Sequence, residues 1–111
     1  MCGIAVAIGL HGRPVERAAV ERMAKSLLHR GPDDGGIYMD GPVGMGFRRL
    51  SILDLSEAGH QPMISQDGQY VLVFNGEIFN YVELRNELRK LGYQFRSSGD
   101  SEVLLAAYRE W

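Results

Sequence analysis

Gly3-Ile-Ala-Val-Ala-Ile-Gly9 is an apolar, partly β-branched run closed by glycine, and it predicts a short buried strand. Pro14 suits the first turn of a helix. Val20, Met23, Ala24, Leu27 and Leu28 follow at i, i+3, i+4 spacing and stop before Gly31-Pro32, while Arg17, Glu21, Arg22 and Lys25 fall mostly on the opposite side. That is an amphipathic packing helix. His29 to Gly36 is dense in turn formers. Ile37 to Met39 and Val43 to Phe47 read as two strands around a turn at Asp40-Gly41-Pro42, and Leu50 to Leu53 either continues the second or begins a third. Ser56 to Pro62 is a polar loop and Gln66-Asp67-Gly68 a tight turn. Tyr70 to Phe74 is the clearest strand pattern in the chain, and it runs into Asn75-Gly76.

Asn80 with Glu83 three residues on is a capping pair for a further helix, with Val82, Leu84, Leu88 and Leu91 as apolar positions and Gly92 as its stop. Tyr93 to Arg96 alternates as a strand, Ser97 to Asp100 turns, and a last helix begins at Ser101 with Val103, Leu104, Ala107 and Tyr108 on its apolar side. Strands that come as neighbours as well as alternating with helices predict α+β layers, not a doubly wound parallel sheet. The last helical face reaches Trp111 with no closing glycine or polar tail, and this reads as a truncated domain.

Composition narrows the classes. At 111 residues, 45% hydrophobic and 23% charged, the chain has the make-up of an ordinary soluble globular domain. Twelve basic residues against 14 acidic ones give a net charge of −2, and the basic residues are scattered, so no nucleic-acid partner is expected. One cysteine allows no internal disulfide, which suits a reducing compartment. With no basic region before the apolar run and no stretch near the ~20 residues of a membrane span, a cytoplasmic protein off the membrane is expected.

The candidate chemistry centres on that cysteine, Cys2. Removal of Met1 would leave a thiol and a free α-amine on one residue, a nucleophile beside a base whose pKa is near ~7.7–8.0. A small buried hydrophobe is the plainer alternative. Attack on a carbonyl needs preset donors for the oxyanion, and Asn75-Gly76 offers a side-chain amide beside a backbone N–H. A type I′ hairpin turn is the alternative there. Arg49 suits two-pronged capture of a carboxylate, or is a solvated surface arginine. Asp100 can receive an ammonium group or simply cap the last helix. Together these residues describe a site for a free α-amino acid with a carbonyl in its side chain. His11, His29 and His60 lack metal-ligand spacing, Asp33, Asp34, Asp40 and Asp54 do not follow a calcium loop, and Gly44-x-Gly46 lacks a third glycine.

The blocks Met1-Cys-Gly-Ile-Ala5, His29-Arg-Gly-Pro-Asp33, Arg49-Leu-Ser-Ile-Leu-Asp54, Gly59-His-Gln-Pro-Met63, Asn75-Gly-Glu-Ile-Phe-Asn-Tyr81 and Gly99-Asp-Ser-Glu102 stand in order along the whole chain. In them the sequence resembles the class II glutamine amidotransferases, and within these the glutamine-hydrolysing asparagine synthetases. The resemblance implies an N-terminal-nucleophile (Ntn) hydrolase fold, a four-layer αββα sandwich of antiparallel sheets, present over residues 1–111 as an incomplete N-terminal portion of the glutaminase domain. It implies that Cys2 releases ammonia from L-glutamine through a thioester, with Asn75 and the Gly76 N–H as the oxyanion hole. Arg49 would hold the α-carboxylate, Arg49, Leu50, Ser51, Ile52 and Leu53 would line the site, and Glu77 and Asp100 would engage the amino end. Ammonia would pass to a synthetase domain, absent from this chain, that adenylates aspartate with ATP and Mg2+. Phe47 departs from the pattern, standing where this block leads one to expect a histidine. A non-catalytic fragment or interaction module, a glutaminase serving another acceptor, and a different thiol hydrolase are the competing readings. The last has no histidine-containing partner block to support it.

Overall fold

The structure is a computed structural model that describes residues 2–50 and 57–111. It is a small α+β arrangement with two antiparallel sheets. The first sheet has the order β1-β3-β2, with β1 at Gly3–Ile8, β2 at Asp34–Asp40 and β3 at Val43–Arg49. The expected hairpin is present, turning at Gly41 with φ +52. The possible continuation from Leu50 to Leu53 lies largely outside the described residues.

Register decides what each face carries. Gly44 and Gly46 of β3 face Ala7 and Ala5 of β1 and Met39 and Ile37 of β2, and α1 (Arg17–Ser26) packs over them through buried Val20 and Ala24. A Cβ on Gly46 would stand 2.9 Å from that of Ala24, and one on Gly44 2.6 Å from Val20 Cγ2. Glycine in this strand is therefore what lets the helix approach so closely. The helix begins at Arg17 rather than at Pro14, because the Val15 N–H is bonded to the Gly41 carbonyl at 2.9 Å and Glu16 is extended.

The opposite face holds Ile4, Val6 and Ile8 beside Phe47, Met45 and Val43. Its two ends differ. Phe47, only 1% exposed, pairs with Gly36, whose missing side chain leaves room for His60 Nε2 and Pro62 Cδ, 2.8 and 3.0 Å from where a Cβ would be. A phenyl ring in that covered place needs no hydrogen-bond partner, as an imidazole would. Ile4, Val6 and Ile8 are exposed, Ile8 at 69%, so the expectation of a buried first strand is corrected on this face. The small face of β1 is covered by α1 and the large face is open.

The second part of the chain packs α2 (Tyr81–Lys90) on α3 (Ser101–Glu110) beside the short pair β4 (Met63–Ile64) and β5 (Val71–Leu72). Leu88, Val103 and Ala106 form the core, with Tyr81, Leu84, Tyr93, Phe95 and Ala107 against it. Gly92 stops α2 as expected. At φ +100 it places its N–H on the Arg89 carbonyl and that of Tyr93 on Leu88, both at 3.0 Å, which is a Schellman closure. Leu88 is fully buried, so Leu88→Ala is expected to cost about 2–5 kcal/mol, read as a lowered urea midpoint in the full-length protein.

Three local expectations change. The Tyr70–Phe74 strand shortens to two residues because its flanking N–H groups bond to side chains, Tyr70 to Ser65 Oγ at 3.1 Å and Phe74 to Gln61 Oε1 at 2.6 Å. Tyr93 to Arg96 makes no ladder: Tyr93 and Phe95 pack on the helices, and the N–H groups of Arg96 and Ser97 bond to the Glu102 carboxylate at 2.9 and 2.8 Å. Asn80 precedes α2 but makes no side-chain capping bond, so the expected capping pair is absent. Among the described residues no helix is long and apolar enough to cross a membrane.

Candidate active site

Cys2 heads β1, half-buried, with its Sγ on the Leu50 peptide just past the end of β3. The Leu50 N–H points at the sulfur at 3.3 Å and the thiol can donate to the Leu50 carbonyl at 3.6 Å, while Arg30 Nε donates to the Cys2 carbonyl at 3.2 Å. These contacts fix the thiol where β1 and β3 meet. The β1–β3 register pairs Gly3 with Arg48, so one position further sets Cys2 across from Arg49, on the face that carries Ile4 and Phe47.

Arg49 in turn pairs with Asp34 on β2. Thiol, guanidinium and carboxylate therefore follow one another across the end of a single sheet face. Arg49 is 8% exposed, and Gly59 makes room for it: a Cβ there would lie 2.6 Å from one guanidinium nitrogen. Asp34 Oδ2 meets His60 Nδ1 at 2.6 Å, and Oδ1 accepts the Gly35 N–H at 2.8 Å. Burial works to raise the Asp34 pKa. The hydrogen bonds from His60 and Gly35, with the charges of His60 and Arg49, outweigh it and hold the carboxyl below its ordinary value.

Asn75, Gly76 and Glu77 occupy an exposed segment between β5 and α2. No strand resumes after them, so the hairpin alternative for Asn75-Gly76 fails. The flanks of the segment are tied down. Phe74 N–H bonds to Gln61 Oε1 at 2.6 Å, and Ile78 N–H to Asp100 Oδ2 at 2.8 Å. Asp100 stands at the head of α3 without a side-chain capping bond, so its carboxylate serves the Asn75 segment in place of its own helix.

A model of the glutamine amidotransferase domain matches residues 1–111 of the chain. The chain belongs to the glutamine amidotransferase domain family. Its relatives include asparagine synthetase [glutamine-hydrolyzing] 1 of Bacillus subtilis, 46% identical over all of this chain and 18% of that protein. A putative asparagine synthetase of Methanocaldococcus jannaschii is 38% identical over 99% of this chain and 24% of its own length. Asparagine synthetase 1 of Arabidopsis thaliana is 36% identical over all of this chain and 19% of its own. The chain thus spans about a fifth of the length of the curated relatives it matches.

Of the candidate residues, Cys2, Arg49 and Leu50 meet at the end of the first sheet. Asn75, Gly76 and Glu77 sit together with Asp100 on the second part of the chain, and among the described residues no hydrogen bond joins them to Cys2. Ser51, Ile52 and Leu53 lie outside the described residues. Among the described residues no three His, Cys, Asp or Glu side chains converge as metal ligands. Gln61 and Gly59 were not among the candidate residues, and His60 and Asp34 were weighed only as metal ligands. The one signal available for Gly59, His60 and Gln61 was their place in the Gly59-His-Gln-Pro-Met63 block, while Asp34 lies one residue past the His29–Asp33 block.

Proposed function

We propose that the chain is the opening part of the glutaminase domain of an asparagine synthetase, built on the Ntn four-layer sandwich. The exposed Ile4, Val6 and Ile8 face is the kind of surface that a second sheet covers in such a sandwich. With Met1 removed, the α-amine of Cys2 takes the thiol proton and the sulfur attacks the Cδ of L-glutamine. The carbonyl oxygen becomes an oxyanion held by the Asn75 amide and the Gly76 N–H. Collapse breaks the C–N bond, ammonia leaves with the proton, and a γ-glutamyl thioester remains for water to hydrolyse to glutamate. Arg49 holds the α-carboxylate, while Glu77 and Asp100 receive the α-ammonium. Leu50, Ser51, Ile52 and Leu53 line the pocket.

The ammonia would pass to a C-terminal synthetase domain that binds ATP and Mg2+ and amidates aspartate. The described residues offer no metal-ligand cluster of their own for that ion. A cytoplasmic location fits this chemistry and the single cysteine.

The observation that carries the reading is the Cys2 thiol held on the Leu50 peptide beside buried Arg49, within a chain of this family. Arg49→Lys in the full-length protein is expected to raise KM for glutamine by about 10-fold or more, because a single ammonium replaces a two-pronged donor. Glutamine amides lacking the α-carboxylate should show no such penalty. No ammonia release from L-glutamine by the wild-type protein would overturn the function, and an unchanged KM would remove Arg49 from the carboxylate site.

A further inference from the structure

We propose that Gln61 is a positioning residue that sets the Asn75-Gly76 donors, in concert with Ser101 and Asp100. This rests on the glutaminase reading above and adds to it a residue to which that reading gives no contact with substrate.

Gln61 is 4% exposed, unusual for a long polar side chain, and both ends of its amide are used. Oε1 accepts the Phe74 N–H at 2.6 Å, and Nε2 donates to Ser101 Oγ at 3.2 Å. Ser101 adjoins Asp100, itself 6% exposed, whose Oδ2 accepts the Ile78 N–H at 2.8 Å. Residues 74 and 78 are therefore held by two buried side chains from elsewhere in the sequence. The side chains are joined to each other through the first residue of α3. Between the two anchors, neither the Asn75 amide nor the Gly76 N–H has a hydrogen-bond partner within the described residues.

That combination is what an oxyanion site requires: donors free of other partners, on backbone fixed before the substrate arrives. Bonds spent on the segment's flanks orient it without occupying the donors. Gln61 also belongs to the stretch that covers the first sheet, since its carbonyl oxygen lies over Gly36 beside Phe47. It thus ties the Asn75 segment to the sheet that carries Cys2 and Arg49.

The test is steady-state glutamine hydrolysis by the full-length protein with Gln61→Met, which keeps length and removes both hydrogen bonds, and with Ser101→Ala. Gln61→Met is expected to lower kcat about 10- to 100-fold with KM altered less than about 3-fold, the scale of a small misplacement of catalytic groups. Ser101→Ala should lower kcat less, and the double variant should be no worse than Gln61→Met alone, because the two act through one connection. Alkylation of Cys2 by iodoacetamide forms no oxyanion, so its rate should stay at the wild-type value.

Unchanged kcat in Gln61→Met would overturn the proposal. So would an equal loss in the alkylation rate, which would mark a general structural role. Should Gln61→Met fail to fold, Ser101→Ala decides alone by the same split between kcat, KM and alkylation. Cys2→Ala, run alongside, separates the two levels of the argument. Hydrolysis that persists in it overturns the Cys2 mechanism on which the glutaminase reading rests, and the role of Gln61 with it. Hydrolysis that it abolishes, with Gln61→Met unaffected, overturns the role of Gln61 alone.

Discussion

Replacing Cys2 by alanine in the full-length protein is expected to lower kcat for glutamine hydrolysis by about 10^3-fold or more, the scale seen when a catalytic nucleophile is removed. Alanine leaves the backbone of β1 and its register with β3 in place, so the loss falls on chemistry rather than on folding. Among the described residues the sulfur makes two hydrogen bonds, both with the Leu50 peptide, and one of them is a long thiol-to-carbonyl bond of 3.6 Å. Thermal stability should therefore change little. Cys2→Ser separates nucleophile from geometry: it keeps a hydroxyl beside the same α-amine, yet a serine hydroxyl is a far weaker nucleophile than a thiol near neutral pH. Ammonia release from glutamine, followed for all three proteins, is the measurement. Activity retained in Cys2→Ala would remove the thiol from the mechanism.

Asn75→Ala carries the second-largest effect, a fall in kcat of about 10^2- to 10^3-fold. The side-chain amide is exposed and has no hydrogen-bond partner among the described residues, so deleting it strands no buried group there. The loss belongs to the transition state, where charge gathers on the substrate oxygen. KM for glutamine should accordingly stay within a few-fold, since the ground-state carbonyl gains little from the same donor. Asn75→Asp is a sharper probe, because it keeps size and puts a negative charge where an oxyanion must form. An Asn75→Ala variant that loses affinity while keeping kcat would place this residue in binding instead.

Much of the fold was legible where short-range rules decide it. The β2–β3 hairpin follows from Asp40-Gly41-Pro42 between apolar runs, and α2 ends where Gly92 can take its positive φ. Periodicity misled where a distant side chain takes a backbone donor. Nothing in Tyr70 to Phe74 shows that Gln61 claims the Phe74 N–H, and without that bond the alternation reads as a five-residue strand. Tyr93 to Arg96 fails for the same reason, with Glu102 as the acceptor. The open face of β1 escaped notice because an apolar run carries no record of which side is covered.

The candidate site divides along the same line. Cys2, Arg49, Asn75 and Asp100 stood out because their chemistry and motif context mark them. That Cys2 and Arg49 share a sheet face depends on the β1–β3 register, a long-range property. Gln61 lies in a polar loop where a glutamine is unremarkable, and beyond its place in the Gly59–Met63 block its burial and its two-ended bonding single it out. Phe47, an unexplained departure in sequence, has a physical account in its near-complete burial against Gly36.

The central claim is that the Cys2 thiol forms a covalent bond to the glutamine side chain with its own α-amine free. Acid quenching of the full-length protein during turnover of L-glutamine, followed by mass mapping of its N-terminal peptide, tests this directly. The account predicts a γ-glutamyl thioester on Cys2 in a peptide that has lost Met1. Turnover that leaves Cys2 unmodified, or that proceeds with Met1 in place, would contradict it.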